Sequence, residues 1–221
     1  MAYMSSQENP GSVLESSLDQ SDSDQEDAEN LDLSPFTIDW LDLDFVGCPK
    51  SLGICALPGC RFKSTWRSLL HDLQCLKQAG VEDVFCLCTR GEFHLYRCQD
   101  LLEKYSEHEI TVHHYPVNDG QVPPMEDLMK IIEDLRVCLM MGKRTVVHCF
   151  GGLGRSCVVV ACTMMAMDET LRPEDVFKKL RDLRGAGAIQ TVKQYNFVNE
   201  FHELQNRFNT DRSADDRSAS R

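Results

Sequence analysis

A chain of 221 residues, 42% of them hydrophobic, can bury one sizeable core and has little left for a second. Its formal net charge of −12 disfavours nucleic acid and anionic membranes as partners, and no apolar run reaches the roughly 18 residues that a bilayer crossing needs. Eleven cysteines, scattered through apolar runs without CxxC or CxxH pairs and behind no signal-peptide pattern, fit reduced intracellular thiols better than a disulfide framework or a zinc site.

Nine of the 35 acidic residues and none of the basic ones fall in residues 1 to 34. Rich in Ser, Asp, Glu and Gln, that stretch reads as a disordered acidic tail, with Ser21 and Ser23 as its candidate positions for phosphorylation or partner binding. A folded domain is expected over residues 35 to 208. Phe36, Ile38, Trp40, Leu41 and Leu43 suggest an entry strand, and Ile54-Cys55-Ala56-Leu57 a second that stops at Pro58-Gly59. Ser64 is placed to cap a helix in which Trp66, Leu69, Leu70, Leu73 and Leu76 recur at helical spacing until Gly80. Val81 to Cys88 reads as a buried strand, followed by a loop at Thr89-Arg90-Gly91-Glu92. A helix is expected from about Gln99 to Glu107 and a strand from Ile110 to Val117. Pro123-Pro124 open an amphipathic helix carried by Leu128, Ile131, Ile132, Leu135 and Leu139 to about Met141. A strand over residues 144 to 149, a helix after Gly154, another begun at Pro173 and a last from about Thr191 to Phe208 complete the domain. Residues 209 to 221 read as a flexible tail. Alternating strands and helices predict an α/β fold, a mostly parallel twisted sheet flanked by helices on both faces, with ligands bound beyond the carboxyl ends of the strands. The loops after Cys88, after Val117 and at Cys149 should meet there.

Chemistry concentrates in Thr145-Val146-Val147-His148-Cys149-Phe150-Gly151-Gly152-Leu153-Gly154-Arg155-Ser156, where a β-branched run stops at a cysteine and glycines lead into an apolar helix. A tight loop closed by a helix N-terminus aims backbone N–H groups and the positive end of the helix dipole at one spot. Phe150, Gly151, Gly152, Leu153 and Gly154 therefore form an anion cradle. Cys149 lies at its floor, where those dipoles and Arg155 favour a thiolate in line with a bound phosphate. Arg155 offers a planar fork for two phosphate oxygens, and the Ser156 hydroxyl can hydrogen-bond the sulfur and help it leave in a second step. The departing ester oxygen needs a proton. Asp119, beside a flexible glycine in Pro116-Val117-Asn118-Asp119-Gly120, is the candidate general acid, although Asp-Gly is also an ordinary turn. His148 should point away from Cys149 and shape the loop by hydrogen bonding, while His113 and His114 receive no chemistry. Cys88 reads either as a buried strand cysteine or as a thiol within reach of Cys149, where an oxidised Cys149 would be trapped as a disulfide.

His148-Cys149, five residues, then Arg155-Ser156 is a pattern similar to the signature of the cysteine-dependent protein tyrosine phosphatase superfamily. Gly187-Ala188-Ile189-Gln190-Thr191, with Gln194-Tyr195, resembles the glutamine loop of tyrosine phosphatases. That resemblance implies that Gln190 orients the hydrolytic water, with Gln194 as helper or substitute; read by itself, Thr191 caps the following helix. The cradle residues between Cys149 and Arg155 carry no charge, which suits a single phosphate on a protein better than a multiply phosphorylated inositol lipid. Ala56-Leu57-Pro58-Gly59-Cys60-Arg61-Phe62-Lys63, Cys88 to Glu92 and Leu180 to Thr191 resemble the cyclin-dependent-kinase-associated phosphatases of the dual-specificity branch, a likeness that runs over residues 36 to 208.

The resemblance implies a dual-specificity protein phosphatase that removes the activation-loop phosphothreonine of a cyclin-dependent kinase through a phosphocysteine intermediate, restraining the cell cycle. It further implies a phosphorylated cyclin-dependent kinase as partner, no cofactor and no metal, and a monomer in the cytoplasm or perinuclear region. Docking is expected on the last helix, at Lys193, Tyr195, Asn196, Asn199 and Glu200. Alternatives are a catalytically weak phosphoprotein-binding module, a phosphatase of other phosphoproteins, and a sulfurtransferase or arsenate reductase, which would need neither Asp119 nor Gln190.

Overall fold

The apolar runs of the sequence come together as one five-stranded sheet in a computed structural model of the chain, which describes residues 31 to 41, 43 and 51 to 219. The strands are β1 (Ile38–Trp40), β2 (Leu52–Cys55), β5 (Val81–Cys86), β6 (Thr111–His114) and β7 (Arg144–His148), in the spatial order β1-β2-β7-β5-β6. β2, β7, β5 and β6 run parallel, with Ile54 opposite Val147 and Val84 opposite Val146; β1 joins antiparallel at one edge. Alternation along the strands sorts side chains between two cores. Phe85 and Val147 face one, with α4 (Met125–Met140), α5 (Arg155–Met167) and α6 (Pro173–Arg184). Val84, Cys86 and Val146 face the other, with α1 (Leu69–Gln78), α2 (Arg90–Leu95) and α3 (Leu101–Glu107). Residues 155 to 165 of α5 are buried on every side, as an all-round apolar helix requires. The expected α/β architecture with helices on both faces is the observed one.

Four local expectations need correction. Residues 61 to 66 are a small hairpin, β3 (Arg61–Phe62) against β4 (Thr65–Trp66), and not the start of a helix. Lys63 takes the left-handed turn at φ 53°, the Trp66 indole donates to its carbonyl at 2.9 Å, and Ser68, not Ser64, caps α1. Thr89 to Glu92 is no loop. Thr89 and Glu92 form a reciprocal capping box that starts α2. The last helix is two, α7 (Val192–Asn199) and α8 (Phe201–Ala219), the first capped by Thr191. α8 continues past Phe208 into residues expected to fray, because a helix already nucleated on buried Phe201 extends at little cost, and the Thr210 and Ser213 hydroxyls bond back to the Asn206 and Asn209 carbonyls.

The acidic residues 1 to 30, with Ser21 and Ser23, lie outside the described residues. The larger of two compact units begins with the segment at Asp32. Arg67 holds that segment, donating to the Asp32 carboxylate at 3.0 Å and the Ser34 carbonyl at 2.7 Å while pairing with buried Asp72 at 2.7 Å. Among the described residues, no helix is long and apolar enough to cross a membrane.

Candidate active site

β7 delivers Cys149 to the carboxyl edge of the sheet, and α5 begins at Arg155, so residues 150 to 154 must turn the chain within one short loop. Gly152 makes the turn possible. Its φ is +65°, and a Cβ there would sit 2.3 Å from the Cys55 carbonyl oxygen and 2.8 Å from an Arg184 nitrogen. Gly152→Ala is accordingly expected to displace the loop and lower kcat/KM for an aryl phosphate by at least about 10-fold, the scale of a misplaced constellation; steady-state kinetics would show whether it does.

Arg184, in the last turn of α6, sets the loop's orientation. Its guanidinium donates to the Gly151 carbonyl at 2.9 Å and the Gly152 carbonyl at 3.2 Å and pairs with Asp39 of β1. The Leu57 N–H likewise holds the Phe150 carbonyl at 2.9 Å. In a trans peptide the N–H points opposite to the preceding carbonyl. Pinning the carbonyls of residues 150 to 152 outward therefore turns the amides of Gly151, Gly152 and Leu153 to the opposite side, an arrangement that suits an anion. Sequence reading missed Arg184, since nothing near it in the chain announces a partner 33 residues away.

Arg155 is fully buried. Its Nη1 donates to Glu92 Oε2 at 2.8 Å and to the Val117 carbonyl at 2.8 Å, and its Nη2 reaches Glu92 Oε1 at 2.6 Å and Asp119 Oδ1 at 3.2 Å. The capped start of α2 after Cys88 and the loop after Val117 thus meet the Cys149 loop, as expected, through one guanidinium. Burial works against the charge on Arg155, but the Glu92 hydrogen bonds outweigh it and hold the group firmly protonated. Glu92 was not singled out as a site residue, although its Thr-x-x-Glu setting was the available signal. Arg155 Nε and Ser156 Oγ are buried without a hydrogen-bond partner among the described residues, which leaves a donor and a hydroxyl uncommitted at the start of α5.

The glutamine loop is held against the cradle by the Ile189 N–H, which donates to the Leu153 carbonyl at 2.8 Å. Ile189 sits at φ +62°, a conformation that costs a β-branched residue about 1–3 kcal/mol. Beyond it the Gln190 side chain comes so near Gly154 that a Cβ on that glycine would lie 2.7 Å from Gln190 Oε1. Gln194 lies against Gly154 as well, its Nε2 3.1 Å from the same Cβ, but both of its ends are bonded. Its Oε1 accepts from the N–H groups of Gln190 at 3.0 Å and Thr191 at 3.3 Å, and its Nε2 donates to the Gln121 carbonyl at 3.2 Å. Of the two glutamines, Gln190 is exposed and Gln194 is buried.

His148 turns from Cys149, and its Nε2 lies 2.9 Å from the Tyr105 hydroxyl. His114 bonds the Cys88 carbonyl at 2.8 Å. Asp83, His113 and Cys138 bring donor atoms within 4.8 Å of one another, but the Asp83 carboxylate already meets Lys143 at 2.9 Å and His113 at 2.8 Å, the latter contact tying β5 to β6. Cys88 and Cys149 are both buried free thiols.

A family profile described as cyclin-dependent kinase inhibitor 3 matches residues 7–177. The cyclin-dependent kinase inhibitor 3 proteins of Homo sapiens and Rattus norvegicus are 43% and 42% identical to this chain over 212 residues, 96% of it and 99% of each of them. A crystal structure of kinase associated phosphatase, with its catalytic-site cysteine substituted by serine, is 45% identical and superposes with a TM-score of 0.76, covering 78% of this chain and 97% of that one.

Proposed function

Because the chain belongs to the cyclin-dependent kinase inhibitor 3 family and is a protein phosphatase of the tyrosine phosphatase superfamily, we propose that it hydrolyses the activation-loop phosphothreonine of a cyclin-dependent kinase through a phosphocysteine intermediate. The observation that carries the chemistry is the Arg155 guanidinium, buried behind the Cys149 loop with Asp119 at 3.2 Å, so that nucleophile, anion donor and acid share one edge of the sheet. The amides of the cradle and Arg155 neutralise the phosphate. The Cys149 thiolate attacks phosphorus, the P–O ester bond breaks, and Asp119 gives its proton to the threonine oxygen. Asp119, now a carboxylate, takes a proton from a water oriented by Gln190. That water attacks the phosphocysteine, the S–P bond breaks, and the Ser156 hydroxyl stabilises the returning thiolate.

The kinase assignment rests on the family and on a cradle without lysines. The exposed face of α7 suits docking of a folded protein, with Val192 77% and Tyr195 43% exposed beside Lys193 and Asn196. The enzyme acts as a monomer in the cytoplasm or perinuclear region. Capture from cell extract with Cys149→Ser tests the substrate. Recovery of a cyclin-dependent kinase phosphorylated on its activation loop is expected, and recovery of other phosphoproteins alone would redirect the substrate claim.

A further inference from the structure

The segment that carries Asp119 is held from two sides, by Arg155 at the Val117 carbonyl and the Asp119 carboxylate and by α7. Asn118 to Gln121 is closed on itself by the Gln121 N–H, which donates to the Asn118 carbonyl at 3.0 Å, and Gly120 sits at φ +72°. The Asp119 side chain is 70% exposed, so burial does not fix it. Arg155 meets its carboxylate at 3.2 Å, and the first turn of α7 holds the backbone that follows it. The Thr191 hydroxyl donates to the Gly120 carbonyl at 3.2 Å, the Gln194 amide to the Gln121 carbonyl at 3.2 Å, and the Lys193 ammonium to Gln121 Oε1 at 2.6 Å. Gln194 is fully buried, and its other end holds the backbone of Gln190 and Thr191. One side chain thereby joins the acid loop to the water-orienting loop.

We propose that Gln194, helped by Thr191 and Lys193, is the positioning residue for the general acid, latching the Asp119 loop to the turn of α7 whose outer side carries Val192 and Tyr195. The inference rests on the phosphatase reading above and deepens it. A general acid contributes about 10²- to 10⁴-fold only while its carboxyl stays within hydrogen-bond reach of the leaving oxygen, so a loosened loop forfeits part of that factor. Because latch and docking face share one helical turn, a protein seated on Val192 and Tyr195 bears on proton donation as well as on affinity.

The test compares aryl phosphates of graded leaving-group acidity, with Gln194→Met and Lys193→Met in the full chain. For an unactivated phenol, Gln194→Met is expected to lower kcat/KM about 10-fold, while for a phenol acidic enough to leave unprotonated kcat/KM shows almost no loss, because this ratio reports only the steps through phosphocysteine formation. Lys193→Met should give the same pattern more weakly, since an exposed bond contributes less than a buried one, and Lys193→Arg should restore it. In an Asp119→Asn background neither latch variant should add to the loss. A fall in kcat/KM that is uniform across leaving groups, or full additivity with Asp119→Asn, would overturn the latch. Should Gln194→Met fail to fold, exposed Lys193 carries the same test. An unaltered chain that hydrolyses no aryl phosphate would be a different failure, that of the phosphatase reading itself.

Discussion

Replacing Cys149 with serine is expected to lower kcat for an aryl phosphate by at least about 10³-fold while leaving the melting temperature nearly unchanged. The exchange puts oxygen where sulfur stood, at a site only 3% exposed, and removes no packing volume of consequence. The anion donors do not depend on the sulfur. The loop amides are oriented by Arg184 and Leu57, and Arg155 is held by Glu92. Binding should therefore outlive turnover, and a phosphate analogue such as tungstate should still raise the melting temperature of the variant by mass action. The same experiment selects among the thiols clustered here. Burial pushes the neighbouring Cys157 up to about 12 and drives Cys55 well above its ordinary value, so both stay protonated at neutral pH. Retention of full hydrolysis by Cys149→Ser would move the nucleophile to another residue and dismantle the mechanism above.

What could be read from the residues in order was whatever local chemistry determines. The strand, glycine loop and helix around Cys149 declare themselves within twelve residues, and the apolar stripe of α4 needs no partner to be recognised. The errors arose where two local signals competed. Ser64 and Ser68 both precede helical spacing, and the choice was made by tertiary bonds of Arg67 and Gly59 to buried Asp72. The Thr89-x-x-Glu92 box was legible but was passed over because Gly91 inside it suggests a loop. The supporting shell was not legible at all. Arg184 meets the cradle across 33 residues, Glu92 meets Arg155 across 63, and no pattern in the sequence announces that Ile189 turns with a positive φ. Each candidate catalytic residue is thus announced by its own local pattern, while the residues around them are set by topology.

Glu92→Ala is expected to destabilise the protein by about 3–5 kcal/mol, the usual cost of leaving one member of a buried ion pair alone. Both carboxylate oxygens of Glu92 are engaged by Arg155, and Oε2 also accepts from the Thr89 N–H at 2.8 Å. Without the carboxylate, the fully buried guanidinium keeps the Val117 carbonyl and Asp119 as partners, and Asp119 already stands 3.2 Å away. The acid is then drawn into the ion pair, so kcat should fall beyond any effect of unfolding. Glu92→Gln separates the terms, because it keeps the shape and the Thr89 acceptor but removes the charge. Its stability loss should be smaller and its pH dependence different. Burial alone would raise the Glu92 carboxyl, but hydrogen bonds from Arg155 and Thr89 outweigh it and hold the group below its ordinary 4.5. A carboxyl lowered in the folded state contributes stability that is present above the unfolded value and disappears as pH falls through the folded one. Denaturant titrations of the native chain should therefore lose stability below about pH 4.5, and Glu92→Gln should be flatter over that window. Equal acid sensitivity in both, together with an unchanged kcat in Glu92→Ala, would mean that Arg155 is oriented by its backbone contacts and that Glu92 merely caps α2.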